Sequence, residues 1–368
     1  MNNSRPITTI QFITVIISTI IGVGILVFPR YMVEYGGNSA PLISLLAIFV
    51  AFIGCWFTAS VCRKYPNDNL FVFSRRLLGR GLADFSTIVI FLYFVNSTSS
   101  NLRQFGEVCI SVLFKRTPLE ILILILLILV ALSVRRNIVK FTYIHVFYLP
   151  FILISVIIIL LLTLKKVDGL NLLPILGNDF TLSRFSKGVF LSATLYQGTF
   201  ILILLVPLMQ KPKQVVKAAT AALFFSGIIY TIIVIVSLGM FGMNEIELLI
   251  YPTLEMARSA SFGTGLLERL DAIFIVVWVI SVFTTIFTNY YLAVYALREL
   301  IRIKDQRLIS SFLLPFIFVL SLLPQNFFQV YDVTLITSVI GLIVLTVYPF
   351  LLWVVDLIRN KGGLSHEK

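Results

Sequence analysis

Charge is what this sequence lacks most. Only 12% of its 368 residues are Asp, Glu, Lys or Arg, about half the roughly 25% usual in a soluble domain. Meanwhile 59% are hydrophobic and the mean hydropathy is +1.01. A single soluble core cannot hide that much apolar surface, whereas a bilayer accepts it directly, so the composition predicts a polytopic membrane protein. Cysteine and histidine are equally scarce. Cys55, Cys62 and Cys109 have no CxxC spacing, and of two histidines only His145 lies in an apolar run. That excludes a disulfide scaffold, leaves little for a zinc site and predicts no metal or cofactor. There is no HExxH, GxSxG or Walker A motif and no pair of intramembrane carboxylates, so no catalytic residue is predicted and an enzyme is the least favoured class.

Apolar runs dominate what is present. The first, from about Ile7 to Tyr31, is too long for a signal h-region and lacks an A-x-A site, so it reads as a retained helix. Runs long enough to span a bilayer fall near 8–33, 41–62, 83–113, 119–135, 140–164, 186–208, 215–241, 264–300, 307–323 and 332–356. The fourth is the shortest, with uninterrupted apolar residues only from Ile121 to Val134, a length that also suits a re-entrant segment. The chain thus reads as one polytopic domain, 1–368.

The net charge of +12 raises the question of nucleic acid. Where the cations sit answers it. If the N-terminus is cytoplasmic, nineteen Lys and Arg fall in inner segments, including Arg75, Arg76, Arg135, Lys211 and Arg298, and eight fall outside, including Lys115 and Arg184. This is the positive-inside pattern with both termini cytoplasmic, and it predicts no nucleic-acid partner.

In the first span, Gly22-Val-Gly24-Ile25-Leu26 is followed by Pro29, a stretch that weakens a helix where no water can accept freed backbone groups. Such a break faces protein or a cavity, and the half-helix beyond it offers free N–H groups to an anionic ligand end; the alternative is that the glycines only allow close helix packing. The sixth span carries a second interruption, Tyr196-Gln197-Gly198-Thr199-Phe200. Gly198 lies 174 residues after Gly24, and the same 174 separates Pro41 from Val215, the starts of the second and seventh spans. The expectation is an all-α fold of two inverted five-helix halves, 8–164 and 186–356, with helices 1 and 6 broken and a ligand site between them.

Depth matching adds Tyr93, Asn96 and Ser100 of span three and Thr284, Thr285 and Asn289 of span eight as candidates to line the pocket, or else as satisfied interhelical hydrogen bonds. Arg103 and Glu107 have i,i+4 spacing and read either as a snorkelling structural pair or as a gate or subunit contact. Glu268, Arg269 and Asp271 open the eighth span, where carboxylates suit a helix N-terminus. Leu126 reads as lipid-facing. His145 would need an acidic neighbour to relay protons, and the sequence shows none.

Gly22-Val-Gly24-Ile with Pro29-Arg30 resembles the first helix of the amino acid-polyamine-organocation permease superfamily. More narrowly, Asn171-Leu-Leu-Pro-Ile-Leu-Gly177, Tyr251-Pro-Thr-Leu, and Leu267-Glu-Arg-Leu-Asp-Ala-Ile-Phe-Ile-Val-Val-Trp278 with Phe283-Thr284-Thr285 resemble B subunits of spore nutrient germinant receptors, essentially end to end. The resemblance implies an amino acid permease-like fold, residence in the spore inner membrane, an A subunit and a C subunit lipoprotein as partners, and a nutrient such as an amino acid as small-molecule ligand. Many members carry Gly-x-Glu after the sixth-span glycine, where this chain has Phe200. That departure favours a neutral or differently held nutrient over a simple zwitterion. A solute-cation symporter is the alternative, because sensing and transport need the same pocket.

Overall fold

The computed structural model describes residues 6–177, 180–260, 270–303, 305–325 and 327–363. Those residues are almost wholly helical, and no strand longer than the single bridge between Ile7 and Met209 occurs among them. Of the residues singled out above, Leu267, Glu268 and Arg269 lie outside the described residues, as do Arg5, Lys304 and Lys368, three of the nineteen cations counted on the inner side.

The expected first span is three pieces. Helix α1, Thr9–Ile20, starts with a reciprocal cap in which the Thr8 side chain accepts from the Gln11 N–H and Gln11 returns the bond. It stops at Ile21, whose backbone is extended, and a 3-10 turn over Val23–Leu26 leads into α2, Phe28–Gly36, with Pro29 in its first turn. Gly37, at φ 52°, turns the chain into α3, Ala40–Lys64. Where a loop was expected, a short helix α4 forms over Leu70–Leu78, capped by Asn69 and closed by Gly79 at φ 80°. Helices α5, Arg80–Val112, α6, Leu119–Val134, and α7, Ile138–Thr163, complete the first half. The second half opens with α8, Leu182–Ala193, an eight-residue 3-10 stretch Thr194–Ile201 and the single turn α9, Leu202–Leu205. It continues with α10, Val215–Leu248, bent at Gly242, then α11, Pro252–Ser259, a second helix in an expected loop. The last three are α12, Leu270–Ile301, α13, Gln306–Leu322, and α14, Phe327–Gly363.

Among the described residues, seven helical stretches are long and apolar enough to cross a membrane, and α1, α6 and α13 are shorter apolar helices beside them. The architecture is that of a multi-pass membrane protein. Among the described residues its most extensive helix pairings are α5 against α12 and α3 against α10, and α1 packs against α7, α10 and α12. Helix α6 buries Ile123, Leu127 and Val130 and exposes Ile125 and Leu129. Leu126, expected to face lipid, is on the buried side at 4% exposure, because an all-apolar helix gives no sequence cue to its orientation.

Polar contacts gather the helix ends into two groups. At one end Arg75 donates to the Glu299 carbonyl at 2.7 Å, Gln306 donates to the Val134 carbonyl at 2.6 Å, and Lys64 pairs with Asp356. Tyr65 donates to the same Asp356 at 2.6 Å, and burial together with that bond pushes the phenol pKa up to about 12. At the other end Arg184 donates to the Glu34 carbonyl at 2.7 Å and Asn38 to the Leu173 carbonyl at 2.8 Å. Asp271 sits in the first turn of α12, where a carboxylate complements the helix dipole.

Candidate functional site

Ending α1 in the apolar interior leaves four carbonyls without helical partners, those of Ser18, Thr19, Ile20 and Ile21. Each receives one side-chain hydroxyl. Thr284 shares its one hydrogen between Ser18 at 2.9 Å and the Ser281 carbonyl at 2.8 Å, while Thr285 donates to Thr19 at 2.8 Å, Tyr230 to Ile20 at 3.0 Å and Ser281 to Ile21 at 2.7 Å. Beyond the turn, Thr253 donates to the Ile25 carbonyl at 2.7 Å. Gly22 (φ −150°, ψ −131°) is needed for close approach, since a Cβ there would run into the Thr285 hydroxyl.

The second interruption takes another form. Thr194–Ile201 stays helical but tightens to 3-10 over eight residues, a longer run than the three or four usual for that helix. Gly198 brings it against α1, because a Cβ at 198 would lie 2.6 Å from the Thr19 methyl. The Gln197 amide spans the space beside it. It accepts from the Tyr93 hydroxyl and donates to the Ser338 carbonyl at 2.6 Å, joining α5, the 3-10 stretch and α14.

Between the two interruptions lies a cavity of about 1090 Å³, counted out to its mouth. Gly24, Val27 and Tyr31 form one wall, Thr194, Gln197 and Gly198 another, Tyr93, Ser97, Asn101 and Gln104 of α5 a third, and Thr285, Asn289, Thr334 and Ser338 close it. Among the described residues, none that lines it is Asp, Glu, Lys, Arg or His.

Six of the residues expected from sequence meet in this cavity: Gly24, Tyr93, Gln197, Gly198, Thr285 and Asn289. The others are displaced for identifiable reasons. Gly22 faces Thr285. Ile25 and Leu26 are buried, and the Ile25 N–H, expected to meet a ligand anion, donates to the Gly22 carbonyl at 3.3 Å within the 3-10 turn. Tyr196 packs edge-on against Tyr230 at 6.3 Å and Phe200 stacks on Phe94 at 6.0 Å. Thr199 borders a smaller void with Cys55. Thr284 is fully buried on Ser18.

On α5 the expected face was rotated. Asn96 donates to Thr337 and Ser100 is buried off the cavity, whereas the lining face runs Tyr93, Ser97, Asn101, Gln104. Steps of three and of four from Tyr93 are both helical, and packing of α14 chose between them. Sequence reasoning missed Ser97, Asn101 and Gln104, although their 4-4-3 spacing from Tyr93 was a usable signal. Arg103 and Glu107 do form a salt bridge, 2.7 Å between Nη2 and Oε1, beside the cavity rather than in its wall. His145 lies under the break. It is buried, with Nδ1 3.1 Å from the Ser18 hydroxyl and Nε2 3.3 Å from that of Thr288, and stacks on Phe287. Only its apolar neighbours could be read from sequence.

Residues 6–330 match the family described as Spore germination protein. The chain belongs to the spore germination protein family. Relatives of this family member include spore germination protein YndE of Bacillus subtilis, 26% identical over 98% of each chain, and spore germination protein B2 of the same organism, 25% identical over 98% of each. Spore germination protein GerLB of Bacillus cereus is 25% identical over 94% of this chain and 93% of its own. Among solved structures, MhsT in complex with L-phenylalanine superposes on this spore germination family member with a TM-score of 0.68, covering 91% of this chain and 87% of that one at 15% identity. The spore germination chain therefore has a transporter fold of the amino acid permease type.

Proposed function

We propose that this chain is the B-type, nutrient-sensing subunit of a spore germinant receptor, multi-pass in the spore inner membrane and working with an A subunit and a C subunit lipoprotein. In this reading it crosses the bilayer ten times as two inverted halves, 8–164 and 186–356, with both termini cytoplasmic, and the nutrient occupies the cavity between the two interruptions. The observation that carries it is the meeting of Gly24 and Gly198 on one cavity in a member of the spore germination family. The names of relatives, spore germination proteins A2 and B2 among them, support a receptor assembly.

A solute-cation symporter is the competing reading, supported by the transporter fold. Transporters of this build hold the coupling ion on unwound carbonyls and half-helix C-terminal ends. Here the four carbonyls at the α1 end already face hydroxyl hydrogens. A cation taking those carbonyls would have to displace or reorient those hydroxyls, which favours sensing over ion-coupled uptake.

Gly24→Val tests the site. A Cβ at 24 comes 2.7 Å from the Leu195 methyl, so valine intrudes on the wall where the ligand would rest. Spores carrying it at normal protein level should need tenfold or more nutrient for a half-maximal response, while Ile125→Val on the exposed side of α6 should not shift the curve. An unshifted Gly24→Val curve removes this cavity from consideration.

A further inference from the structure

We propose, resting on the receptor-subunit reading above, that a second groove, at the end of the molecule opposite the Lys64–Asp356 pair, docks a protein domain held at the outer membrane surface. In that reading the domain belongs to the lipoprotein subunit. The groove lies between the loop joining the two halves and the far end of α2, and three observations carry the proposal.

The first is depth. From Lys217, in the first turn of α10, to Gly239 is twenty-two helical residues, about 33 Å of rise, which crosses a hydrocarbon core about 30 Å thick. The joining loop is tied to that level, because the Asp168 N–H and the Asn171 side-chain amide both donate to the Gly239 carbonyl at 2.9 Å. Leu173, Pro174 and Leu176 then share the groove with Met243 and Glu247, beyond the Gly242 bend, where Asn244 and Glu245 are exposed.

The second is apolar exposure in that loop. Leu170, Leu173, Ile175 and Leu176 are each more than half exposed, although they lie outside the spanning helices. The loop is pinned by its bonds to Gly239 and by Asn38, which donates to the Leu173 carbonyl at 2.8 Å, so these side chains are held in place facing outward. An exposed apolar patch with a polar rim marks a contact with protein or membrane. Here the rim favours protein. Asp168, Glu245 and Glu247 are exposed around it, and laying the loop on lipid would strip water from their carboxylates.

The third is charge. The groove, about 910 Å³ out to its mouth, has Arg184 and Glu247 in its wall, and neither has an ion-pair partner among the described residues. Arg184 gives one N–H to the Glu34 carbonyl at 2.7 Å and has others to offer. The occupant that fits is an apolar side chain flanked by an acid for Arg184 and a base for Glu247. Tyr35 of α2 lines both this groove and the nutrient cavity. A domain seated here therefore touches the half-helix that walls the nutrient cavity.

The test co-expresses the full chain with its A subunit and lipoprotein and puts the photocrosslinker p-benzoylphenylalanine at Leu176, or at Ile125 as a lipid-facing control. Position 176 should form an adduct with the lipoprotein and position 125 should form none. Leu176→Arg and Glu247→Lys change exposed side chains that folding does not need, and each should lower the lipoprotein recovered with the tagged chain tenfold or more. In nanodiscs the lipoprotein should slow amide exchange over 170–177 and 34–38 and leave α6 unchanged. Adducts at 176 only to lipid, to the A subunit or to a second copy of this chain overturn the proposal, as does full recovery of lipoprotein with both variants. Protection confined to 170–177 overturns the contact with α2. A lipoprotein that fails to co-purify even with the unaltered chain overturns the receptor reading and this proposal together.

Discussion

The Thr285 hydroxyl occupies the space that a side chain at Gly22 would need, and from there donates a 2.8 Å hydrogen bond to the Thr19 carbonyl. A glycine and a threonine 263 positions apart in sequence thus form one device: absence of a Cβ at Gly22, just past α1, lets α12 come close enough to cap the helix end. Thr284, Ser281 and Tyr230 repeat the cap on the next carbonyls, so the break in α1 is paired throughout by protein hydroxyls.

Gly22→Ala should destabilise the detergent-solubilised protein by about 1 to 3 kcal/mol through overpacking. Thr285→Ala should cost a similar amount by leaving the buried Thr19 carbonyl without its donor. The double variant should lose less than the sum, because removing the hydroxyl makes room for the new methyl. Thermal unfolding of the four proteins closes the cycle, and strict additivity would show that the two residues do not share this space.

Nutrient response should not depend on sodium. With the α1 carbonyls engaged by hydroxyls, replacing Na⁺ by choline should leave the half-maximal nutrient concentration of spores within twofold, and proteoliposomes with an imposed sodium gradient should accumulate no nutrient. Gradient-driven accumulation would restore the symporter reading.

Sidedness is open to labelling. Cys55, Cys62 and Cys109 are buried, so a cysteine-free background can carry single cysteines at 116, 184 and 212. An impermeant maleimide added outside should reach 116 and 184 and leave 212 unlabelled until the membrane is opened, since the cation-rich end is expected to be cytoplasmic. External labelling at 212 would reverse the orientation.

Asp356, 1% exposed, joins α14 to the end of α3 through Lys64 and Tyr65. Because the Lys64 side chain is 34% exposed and can recover water, Asp356→Ala should cost about 1 to 3 kcal/mol, less than a fully buried pair would. Lys64→Met should cost more, since it leaves the buried Asp356 carboxylate without a counter-charge and held only by the Tyr65 hydroxyl. A smaller loss in Lys64→Met than in Asp356→Ala, by denaturant titration, would contradict this ordering.

Much of the architecture was present in composition and spacing. Few charges and long apolar runs require a bilayer whatever the packing. Paired glycines ahead of a proline, with a second interrupted run 174 residues on, mark where helices 1 and 6 change character, because backbone conformation there depends on local chemistry. The tertiary structure decided what each interior face meets. Asn96 and Ser97 differ by one position on α5, yet one bonds to α14 and the other lines the cavity. Leu126 and Ile125 are neighbours on α6, yet one is buried and the other exposed. A uniformly apolar helix has no moment to set its rotation, so orientation comes from partners distant in the chain. The hydroxyl cap on α1 belongs to the same class: its carbonyls are liberated by a local break, while their donors on α10 and α12 were selected by how the helices pack.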